Sequence, residues 1–318
     1  MNLHGRDIKI FTANSNPKLA KEMSEYLGLP LGKSEVGLFS DGEISVSVFE
    51  SVRGSDVFVV QSTAMPVNRH LMELLIMIDA FKRASAGRIT AVVPYYGYAR
   101  QDRKAKGRDP ISAKLVADMI CTAGADRILT MDLHAPQIQG FFNIPVDHLV
   151  GMPILAPYFE KKFEKTKENV VVMSPDVGSI NRARTFARRI DAPIAIVDKR
   201  RQKANTCEVM NVIGDVDGKD IIIFDDMVDT AGTLCNAAKA IKEKGARTIN
   251  ACATHAVLSG PAIERIQDSP IDELVMLDTI RLPPEKQIDK IKILTCAPIF
   301  AEAIARIYSD KPISPLVE

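Results

Sequence analysis

The chain has 318 residues, of which 46% are hydrophobic and 25% are charged, and its formal net charge is +1. This length predicts about two domains, and the composition is typical of a soluble globular protein. The near-zero charge argues against a general attraction to nucleic acid or to membranes.

Cysteine usage and the N-terminus both indicate a cytoplasmic protein. The five cysteines form no CxxC pair and have no metal-ligand spacing, as expected in a reducing compartment. Residues 1–16 lack the apolar core of a signal peptide. No uncharged apolar run reaches the roughly 18 residues that a membrane helix needs.

The first half alternates strands with helices. Asn16 and Pro17 are helix start signals, and Gly28 is a stop signal. Strands are predicted at residues 8–11, 36–39, 44–48, 57–60, 89–93 and 127–131, and helices at 17–27 and 69–84.

Helix 69–84 has an unusually small polar face, because eight of its residues are large and apolar. A helix of this kind must be covered on more than one side. The cover is either a second subunit or the rest of the same monomer, and the sequence favours neither.

The second half repeats the order of the first. A repeat of about 160 residues indicates a duplicated domain rather than a solenoid. The predicted counterparts are helix 180–190, strand 194–197, strand 221–224 and strand 249–253, preceded by helix 153–163 and strand 170–173.

The domain boundary is expected near Gly151, which gives domains of residues 1–150 and 151–318. The last helix, at 299–308, and the tail after it are expected to pack back on the first domain. Each domain should be α/β, with a mostly parallel sheet flanked by helices.

Residues 221–233 are the most informative stretch. A buried strand, 221–224, is followed by Asp225 and Asp226, then by Asp229 and a small, hydroxylated loop that opens a helix at Thr233. Such a loop can hold a phosphate over a helix N-terminus. Carboxylates beside a phosphate indicate a partner with hydroxyl groups or a bound Mg²⁺, so a sugar phosphate fits better than a nucleotide tail. The simpler alternative is a helix start with aspartates that suit its dipole.

Other polar segments follow predicted strands, where ligands gather in α/β sheets. Residues 95–104 combine three tyrosines with Arg100 and other basic residues, which suits base stacking and phosphate binding. A solvated basic loop would look the same. Three weaker fragments are residues 39–43, 132–134 and 174–178; a surface turn or a structural histidine would also explain them.

A strongly basic loop is expected at residues 198–205, directly after strand 194–197. A mobile cationic loop could close over a phosphoryl-transfer transition state. A solvated edge loop is the alternative.

The 221–233 string is similar to the phosphoribosyl pyrophosphate-binding signature of the type I phosphoribosyltransferase fold. Together, the motifs from residue 8 to about residue 307 resemble the class I ribose-phosphate pyrophosphokinase family. The resemblance implies two tandem phosphoribosyltransferase-like domains. It also implies transfer of the pyrophosphoryl group of ATP to the 1-hydroxyl of ribose 5-phosphate, giving phosphoribosyl pyrophosphate and AMP for nucleotide and amino-acid biosynthesis.

The resemblance further implies Mg²⁺ as cofactor, a homohexamer and a set of site residues. The catalytic residues would be Lys199 and Arg201. ATP would contact Phe39, Asp41, Gly42, Glu43, Arg100 and Gln101, the first four from a neighbouring subunit. Ribose 5-phosphate would contact Arg201, Asp225, Asp226, Asp229, Thr230, Ala231, Gly232 and Thr233. The metal-associated residues would be His134 and Asp176, and a regulatory phosphate/ADP site would include Ser51, Arg53, Arg83 and Ser85.

The chain departs from the family pattern at several places. Gly178 is followed by Ser179 where the family has a second glycine, and Gln202 and Ala256 replace prolines. The tail at 311–316 differs from the serine-containing terminus of the regulatory site, whose other part is still matched by Ser51, Arg53, Arg83 and Ser85.

Two other functions compete with this interpretation. A phosphoribosyltransferase would use the same 225–233 loop, but the duplication and the loops at 100–101 and 199–201 count against it. A regulatory homologue without activity should have lost catalytic residues, and here all of the expected ones are present.

Overall fold

The computed structural model describes residues 7–176, 178–200 and 209–317, without the side chains of residues 198–200, 209 and 210. The chain divides into two compact units. The first contains the chain up to Val150, Thr279–Arg281 and the stretch from Thr295 onward, and the second contains Gly151–Asp278 and Leu282–Leu294. In the described ranges, no helix is long and apolar enough to cross a membrane.

The first unit is built on a parallel sheet. The strands of this unit are β1 (Ile8–Thr12), β2 (Ser34–Leu38), β3 (Ile44–Val48), β4 (Asp56–Val60), β5 (Arg88–Val93), β6 (Arg127–Met131) and β7 (Val146–Leu149). The described sheet order is β1-β4-β5-β6-β7, with every pair parallel. β4 is buried along its whole length, as expected for a central strand covered by helices on both faces.

The helices of this unit are α1 (Pro17–Leu27), α2 (Val67–Arg83) and α3 (Ser112–Ala123). The side chain of Asn16 accepts from the N–H of Leu19 at the start of α1, and Gly28 ends α1 with a left-handed backbone, as the sequence predicted. On α2, Phe81 packs against Phe11 of β1 with ring centroids 4.5 Å apart.

The hairpin of β2 and β3 forms a separate two-stranded antiparallel sheet. Alternation of apolar and polar residues in 44–48 predicted such a half-solvated strand correctly.

The second unit carries a larger sheet with order β10-β9-β8-β11-β12-β13-β14, in which only the described β9–β10 pair is antiparallel. Its strands are β8 (Val170–Ser174), β9 (Ile194–Arg200), β10 (Val209–Ile213), β11 (Asp220–Val228), β12 (Thr248–Ala256), β13 (Glu273–Leu277) and β14 (Ile291–Leu294). Its helices are α4 (Met152–Lys162), α5 (Ile180–Arg189), α6 (Gly232–Glu243) and α7 (Ala262–Gln267). The final helix, α8 (Ala297–Tyr308), belongs to the first unit, where the guanidinium of Arg88 donates to the carbonyl of Ile307.

The two units repeat the same internal contact. An aspartate at the start of a central strand, Asp56 in β4 and Asp220 in β11, accepts from an arginine at or just before the start of the next strand. The Nε–Oδ1 distance is 3.1 Å for Arg88 and Asp56, and 2.9 Å for Arg247 and Asp220. The mostly parallel α/β fold class expected from the sequence is confirmed.

One predicted boundary in the second unit was wrong. Asp225 and Asp226 were expected in a loop after residue 224, but β11 continues through Val228. Carboxylates are disfavoured in strands, so local propensity indicated a loop. Pairing with β12 as far as Val228 and Ala256 overrides that propensity, whereas β8 pairs with β11 only as far as Ile223.

Residues 198–200, expected to start a basic loop, are instead the end of a strand. β9 extends to Arg200 and pairs with β10, so the backbone of Lys199 lies in a strand opposite Met210. Arg201 and Gln202 lie outside the described residues, as does the side chain of Lys199.

Candidate active site

The acid pair of β11 lies against the start of α5. Oδ1 of Asp225 accepts from the hydroxyl of Ser179 at 2.9 Å and from the backbone N–H of Asp226 at 2.9 Å. A guanidinium nitrogen of Arg182, one helical turn further on, lies 2.6 Å from Oδ1 of Asp226. The two adjacent carboxylates therefore have different partners, a hydroxyl for Asp225 and a cation for Asp226.

These partners give the two acids different electrostatic surroundings. Burial raises the pKa of Asp225 to about 7, and repulsion from the carboxylate of Asp226 acts in the same direction. The hydroxyl of Ser179 and the N–H of Asp226 oppose this rise. Asp226 is only 4% exposed and has its charge offset by Arg182. The pair thus holds a proton-accepting group that titrates near neutral pH.

The loop after β11 leads directly into α6. Ala231 has a left-handed backbone, with φ of 58°, and caps the helix, while Thr230 and Thr233 are exposed. The first turn of a helix offers N–H groups and a positive dipole end to an anion. The first turn of α6 contains no acidic residue. The acids therefore belong to the strand and the loop, which disfavours the simpler alternative of aspartates placed to suit the helix dipole.

An arginine from outside the motif supports this loop. A guanidinium nitrogen of Arg265, on α7, donates to the carbonyl of Thr230 at 2.9 Å. A Cβ added at Gly232 would lie 3.3 Å from the same guanidinium. Glycine at this position therefore leaves room for a cation beside the proposed phosphate loop.

Asp176 follows β8 and is half-buried, and its Oδ1 accepts from the backbone N–H of Ser179 at 2.9 Å. Carboxylate oxygen is the donor that Mg²⁺ prefers, and Mg²⁺ is usually held by one or two carboxylates together with substrate phosphates. Asp176 fits such a role. His134, the other expected metal residue, follows β6 in the first unit. Within the described ranges, no group of three or more His, Cys, Asp and Glu side chains could hold a metal ion.

The first four expected ATP residues, Phe39, Asp41, Gly42 and Glu43, form the exposed tip of the β2–β3 hairpin. The N–H of Phe39 donates to the carbonyl of Glu43 at 2.8 Å, and the N–H of Glu43 donates to Oδ1 of Asp41 at 3.1 Å. Gly42 has φ of +94°, which favours glycine there. The ring of Phe39 is 59% exposed, so the tip presents an aromatic face and two carboxylates to solvent.

The loop after β5 is only partly what its sequence indicated. Arg100 and Gln101 are exposed, and Oε1 of Gln101 accepts from the hydroxyl of Ser112 at 2.8 Å. The expectation that Tyr95 and Tyr96 offer rings for base stacking is wrong, because these two residues are buried, at 7% and 2% exposure. A run of tyrosines after a strand looks the same in sequence whether its rings face the core or a ligand.

The four expected regulatory residues, Ser51, Arg53, Arg83 and Ser85, are all exposed. The N–H of Gly54 donates to the carbonyl of Ser85 at 2.9 Å, which joins the loop that carries Ser51 and Arg53 to the turn that follows Arg83 at the end of α2. The guanidinium of Arg83 forms an ion pair with Asp79 at 2.6 Å.

An open groove lies between the hairpin and α2. Its volume is about 590 Å³. The groove is lined by Leu38, Gly42, Glu43, Ile44, Asn68, Arg69, Met72 and Ile76. Leu38 and Met72 are 49% and 42% exposed, so helix α2 is not covered on every side by its own unit.

Sequence reasoning missed Arg182 and Arg265 as site residues. Both belong to helices outside the ligand motifs, and nothing in their spacing separates them from ordinary surface arginines. In the sequence, Ser179 stands out only as a departure from the family pattern.

Comparison with known proteins decides the family. The model of the N-terminal domain of ribose phosphate pyrophosphokinase matches residues 8–124, and that of the phosphoribosyl synthetase-associated domain matches residues 200–318. A ribose-phosphate pyrophosphokinase of Clostridium perfringens is 65% identical over 318 residues, covering 100% of both chains. The chain belongs to the ribose-phosphate pyrophosphokinase family. It is therefore an enzyme of the ribose-phosphate diphosphokinase type, as the sequence analysis expected.

Further members of the pyrophosphokinase family agree. The ribose-phosphate pyrophosphokinase of Caldanaerobacter subterraneus subsp. tengcongensis is 67% identical over 309 residues and covers 97% of each chain. The crystal structure of phosphoribosylpyrophosphate synthetase from Mycobacterium smegmatis matches with a TM-score of 0.91 at 42% identity, covering 96% of this chain and 100% of that one. The family name denotes a transferase of the kinase type, which favours a pyrophosphokinase over the phosphoribosyltransferase and regulatory alternatives.

Proposed function

We propose that the enzyme transfers the β,γ-pyrophosphoryl group of ATP to the 1-hydroxyl of ribose 5-phosphate and releases phosphoribosyl pyrophosphate and AMP. The observation that carries this proposal is the acid pair of β11, followed at once by the loop that starts α6. One short stretch supplies carboxylates for sugar hydroxyls and N–H groups for a phosphate. Membership of the pyrophosphokinase family supports it independently.

Ribose 5-phosphate would bind in the second unit. Thr230, Ala231, Gly232 and Thr233 would hold the 5-phosphate at the start of α6, where the helix dipole favours an anion. Asp225, Asp226 and Asp229 would accept hydrogen bonds from the ribose hydroxyls. Burial raises the pKa of Asp225 to about 7, so above that pH its charged form would accept from these hydroxyls.

ATP would bind to residues of the first unit. Phe39 would offer its exposed ring to the base, and the hairpin carboxylates Asp41 and Glu43 would accept from amino and ribose groups. Arg100 would pair with phosphate, since a guanidinium forms bidentate bonds to phosphate oxygens. Gln101, held by Ser112, would fix the orientation of the nucleotide.

Transfer would depend on positioning and charge neutralisation, because little covalent chemistry falls to the protein in phosphoryl transfer. Lys199 and Arg201 would stabilise the negative charge that develops on the transferred group. Asp176 of the second unit and His134 of the first would each be Mg²⁺-associated residues, and Mg²⁺ when bound would neutralise phosphate oxygens as a Lewis acid.

We also propose self-association into a homohexamer. The groove between the hairpin and α2 supports it, because it exposes Leu38 at the end of β2 and Met72 on α2, the helix whose sequence is apolar nearly all round. The hairpin residues that would contact ATP lie beside this groove, so assembly and nucleotide binding would involve one surface.

The deciding experiment identifies the nucleotide product. Purified protein is incubated with Mg²⁺, ATP and ribose 5-phosphate, and the nucleotides are separated by chromatography. We expect AMP in equal amount to phosphoribosyl pyrophosphate, with no AMP when ribose 5-phosphate is omitted. ADP in place of AMP would indicate an ordinary kinase and would contradict the proposal, as would the absence of turnover.

A further inference from the structure

Ser179 contacts two carboxylates of the second unit at once. Its N–H donates to Oδ1 of Asp176 at 2.9 Å, and its hydroxyl donates to Oδ1 of Asp225 at 2.9 Å. The side chain is 5% exposed, so water competes little for either bond. Asp176 follows β8 and Asp225 lies on β11, so one residue links acids from two neighbouring strands.

The helix that follows Ser179 is fixed on the same strand. Phe186 of α5 stacks on Phe224 with ring centroids 4.6 Å apart and an interplanar angle of 20°. Phe224 directly precedes Asp225, and both rings are buried. The hydroxyl of Ser179 therefore approaches Asp225 from a helix whose position on the strand is set by core packing.

The first unit contains a related contact without acids. The hydroxyl of Ser15, just before α1, accepts from the N–H of Ser62 at 2.8 Å, and the N–H of Ser15 donates to Oε1 of Gln61 at 2.9 Å. Gln61 and Ser62 stand five and six residues after Asp56, as Asp225 and Asp226 do after Asp220. A serine before a helix thus holds the strand end in both units, and only in the second does it hold a carboxylate.

We propose that Ser179 is a positioning residue for the pentose-phosphate site, where its hydroxyl holds the carboxylate of Asp225 in one orientation toward the ribose hydroxyls. The inference rests on the proposed function. It assigns to Ser179 an effect on sugar binding that the exposed hydroxyl of Thr185, on the same helix, does not share.

The test measures binding of ribose 5-phosphate to the full-length protein by calorimetry. The variants are Ser179→Ala and Ser179→Gly, with Thr185→Ala as control, since Thr185 is an exposed hydroxyl residue on the same helix. We expect both Ser179 variants to bind roughly 2- to 10-fold more weakly, the effect of losing one hydrogen bond. The control should bind like the parent, and the KM for ATP should change less than twofold in all of them.

The outcomes separate this inference from the proposed function. If the parent binds ribose 5-phosphate and Ser179→Ala binds it equally well, the positioning role is overturned and the proposed function stands. Loss in the glycine variant alone would indicate a backbone effect, and an equal rise in both KM values would indicate general structural damage; either overturns the inference. A parent that does not bind ribose 5-phosphate would overturn both proposals.

Discussion

The carboxylate of Asp225 lies beside that of Asp226, and burial together with this neighbour raises its pKa to about 7. A raised carboxyl pKa means that the folded state binds a proton more tightly than the unfolded state does. Between the ordinary value of 3.8 and about 7, stability therefore falls as the pH rises, and the full cost is present above pH 7. The close, buried pair of carboxylates that would serve ligand binding thus lowers the stability of the folded protein at neutral and higher pH.

Replacing Asp225 by asparagine should remove this cost. The amide oxygen can still accept from Ser179 and from the N–H of Asp226, while the charge repulsion is lost. At pH 8 we expect Asp225→Asn to gain about 1 kcal/mol or more in the free energy of unfolding, because one pKa unit corresponds to 1.36 kcal/mol. The gain should shrink toward pH 5, and kcat/KM for ribose 5-phosphate should fall at least tenfold, about 1.4 kcal/mol.

The measurement is the melting temperature at pH 5 and pH 8. Asp191→Asn is the matched control, since Asp191 is an exposed carboxylate paired with Lys167 at the surface. It should change the melting temperature little at either pH. If Asp225→Asn melts at or below the melting temperature of the parent at pH 8, the charged carboxylate of Asp225 does not lower the stability of the fold.

Helix α2 carries a fully buried charge. The carboxylate of Glu73 is fully buried and accepts from Asn14, Gln61 and Arg69. Burial acts to raise the pKa of Glu73, but these hydrogen bonds outweigh it and hold the pKa below its usual range. The side-chain amide of Asn14 also donates to the carbonyl of Val36 at 3.0 Å, so this network joins α2 to the β2–β3 hairpin.

Glu73→Gln should destabilise the protein by about 1–3 kcal/mol, because the new amide group would face N–H donors on whichever side it points. Glu25→Gln, an exposed change on α1, should cost less than about 0.5 kcal/mol. Urea unfolding at pH 7 measures both.

The pH dependence gives a second check. Because the folded pKa of Glu73 is lowered, its stabilising contribution is present above the ordinary value of 4.5 and is lost as the pH falls through the folded pKa. The difference between parent and Glu73→Gln should therefore narrow in acid. Equal urea midpoints for Glu73→Gln and Glu25→Gln at pH 7 would contradict a stabilising role of the hydrogen bonds to Glu73.

At the scale of the whole molecule, duplication explains what the two units share. In both units, the aspartate directly before one strand accepts from a backbone N–H of the strand that pairs with it. Asp126, before β6, accepts from Ile89 of β5 at 2.8 Å, and Asp272, before β13, accepts from Ile249 of β12 at 2.7 Å. These contacts hold the sheets in register. The strand ends have diverged: the acids of β11 correspond to Gln61 and Ser62, and the hydroxyl of Ser62 donates to the carbonyl of Thr279 at 2.6 Å.

The groove of the first unit should govern assembly. Met72→Glu places a charge on an apolar surface that, on our proposal, is covered by a second copy of the chain. A buried unpaired charge is costly, so the dissociation constant of the assembly should rise at least about tenfold. Tyr26→Glu, at an exposed ring on α1 outside the groove, is the control. Sedimentation that is unchanged in Met72→Glu would exclude this groove as the contact.

The sequence by itself determined the fold class, the repeat and the chemical character of the 221–233 stretch. Hydrophobic periodicity and helix start and stop signals are local, so helix α1 was predicted with its observed ends. The acid pair and the small, hydroxylated loop are also adjacent in sequence, which made their joint chemistry visible without a structure.

Only the tertiary structure decided which partners these groups meet. The extension of β11 past residue 224 depends on pairing with β12, and the burial of Tyr95 and Tyr96 depends on the core around them. Ser179, Arg182 and Arg265 reach the site from helices whose contacts are distant in sequence. Backbone preference and side-chain chemistry are local properties, so they could be predicted from the sequence. The pKa shifts, the buried pairs and the ends of the strands arise from packing between residues distant in sequence, so they had to be observed in the structure.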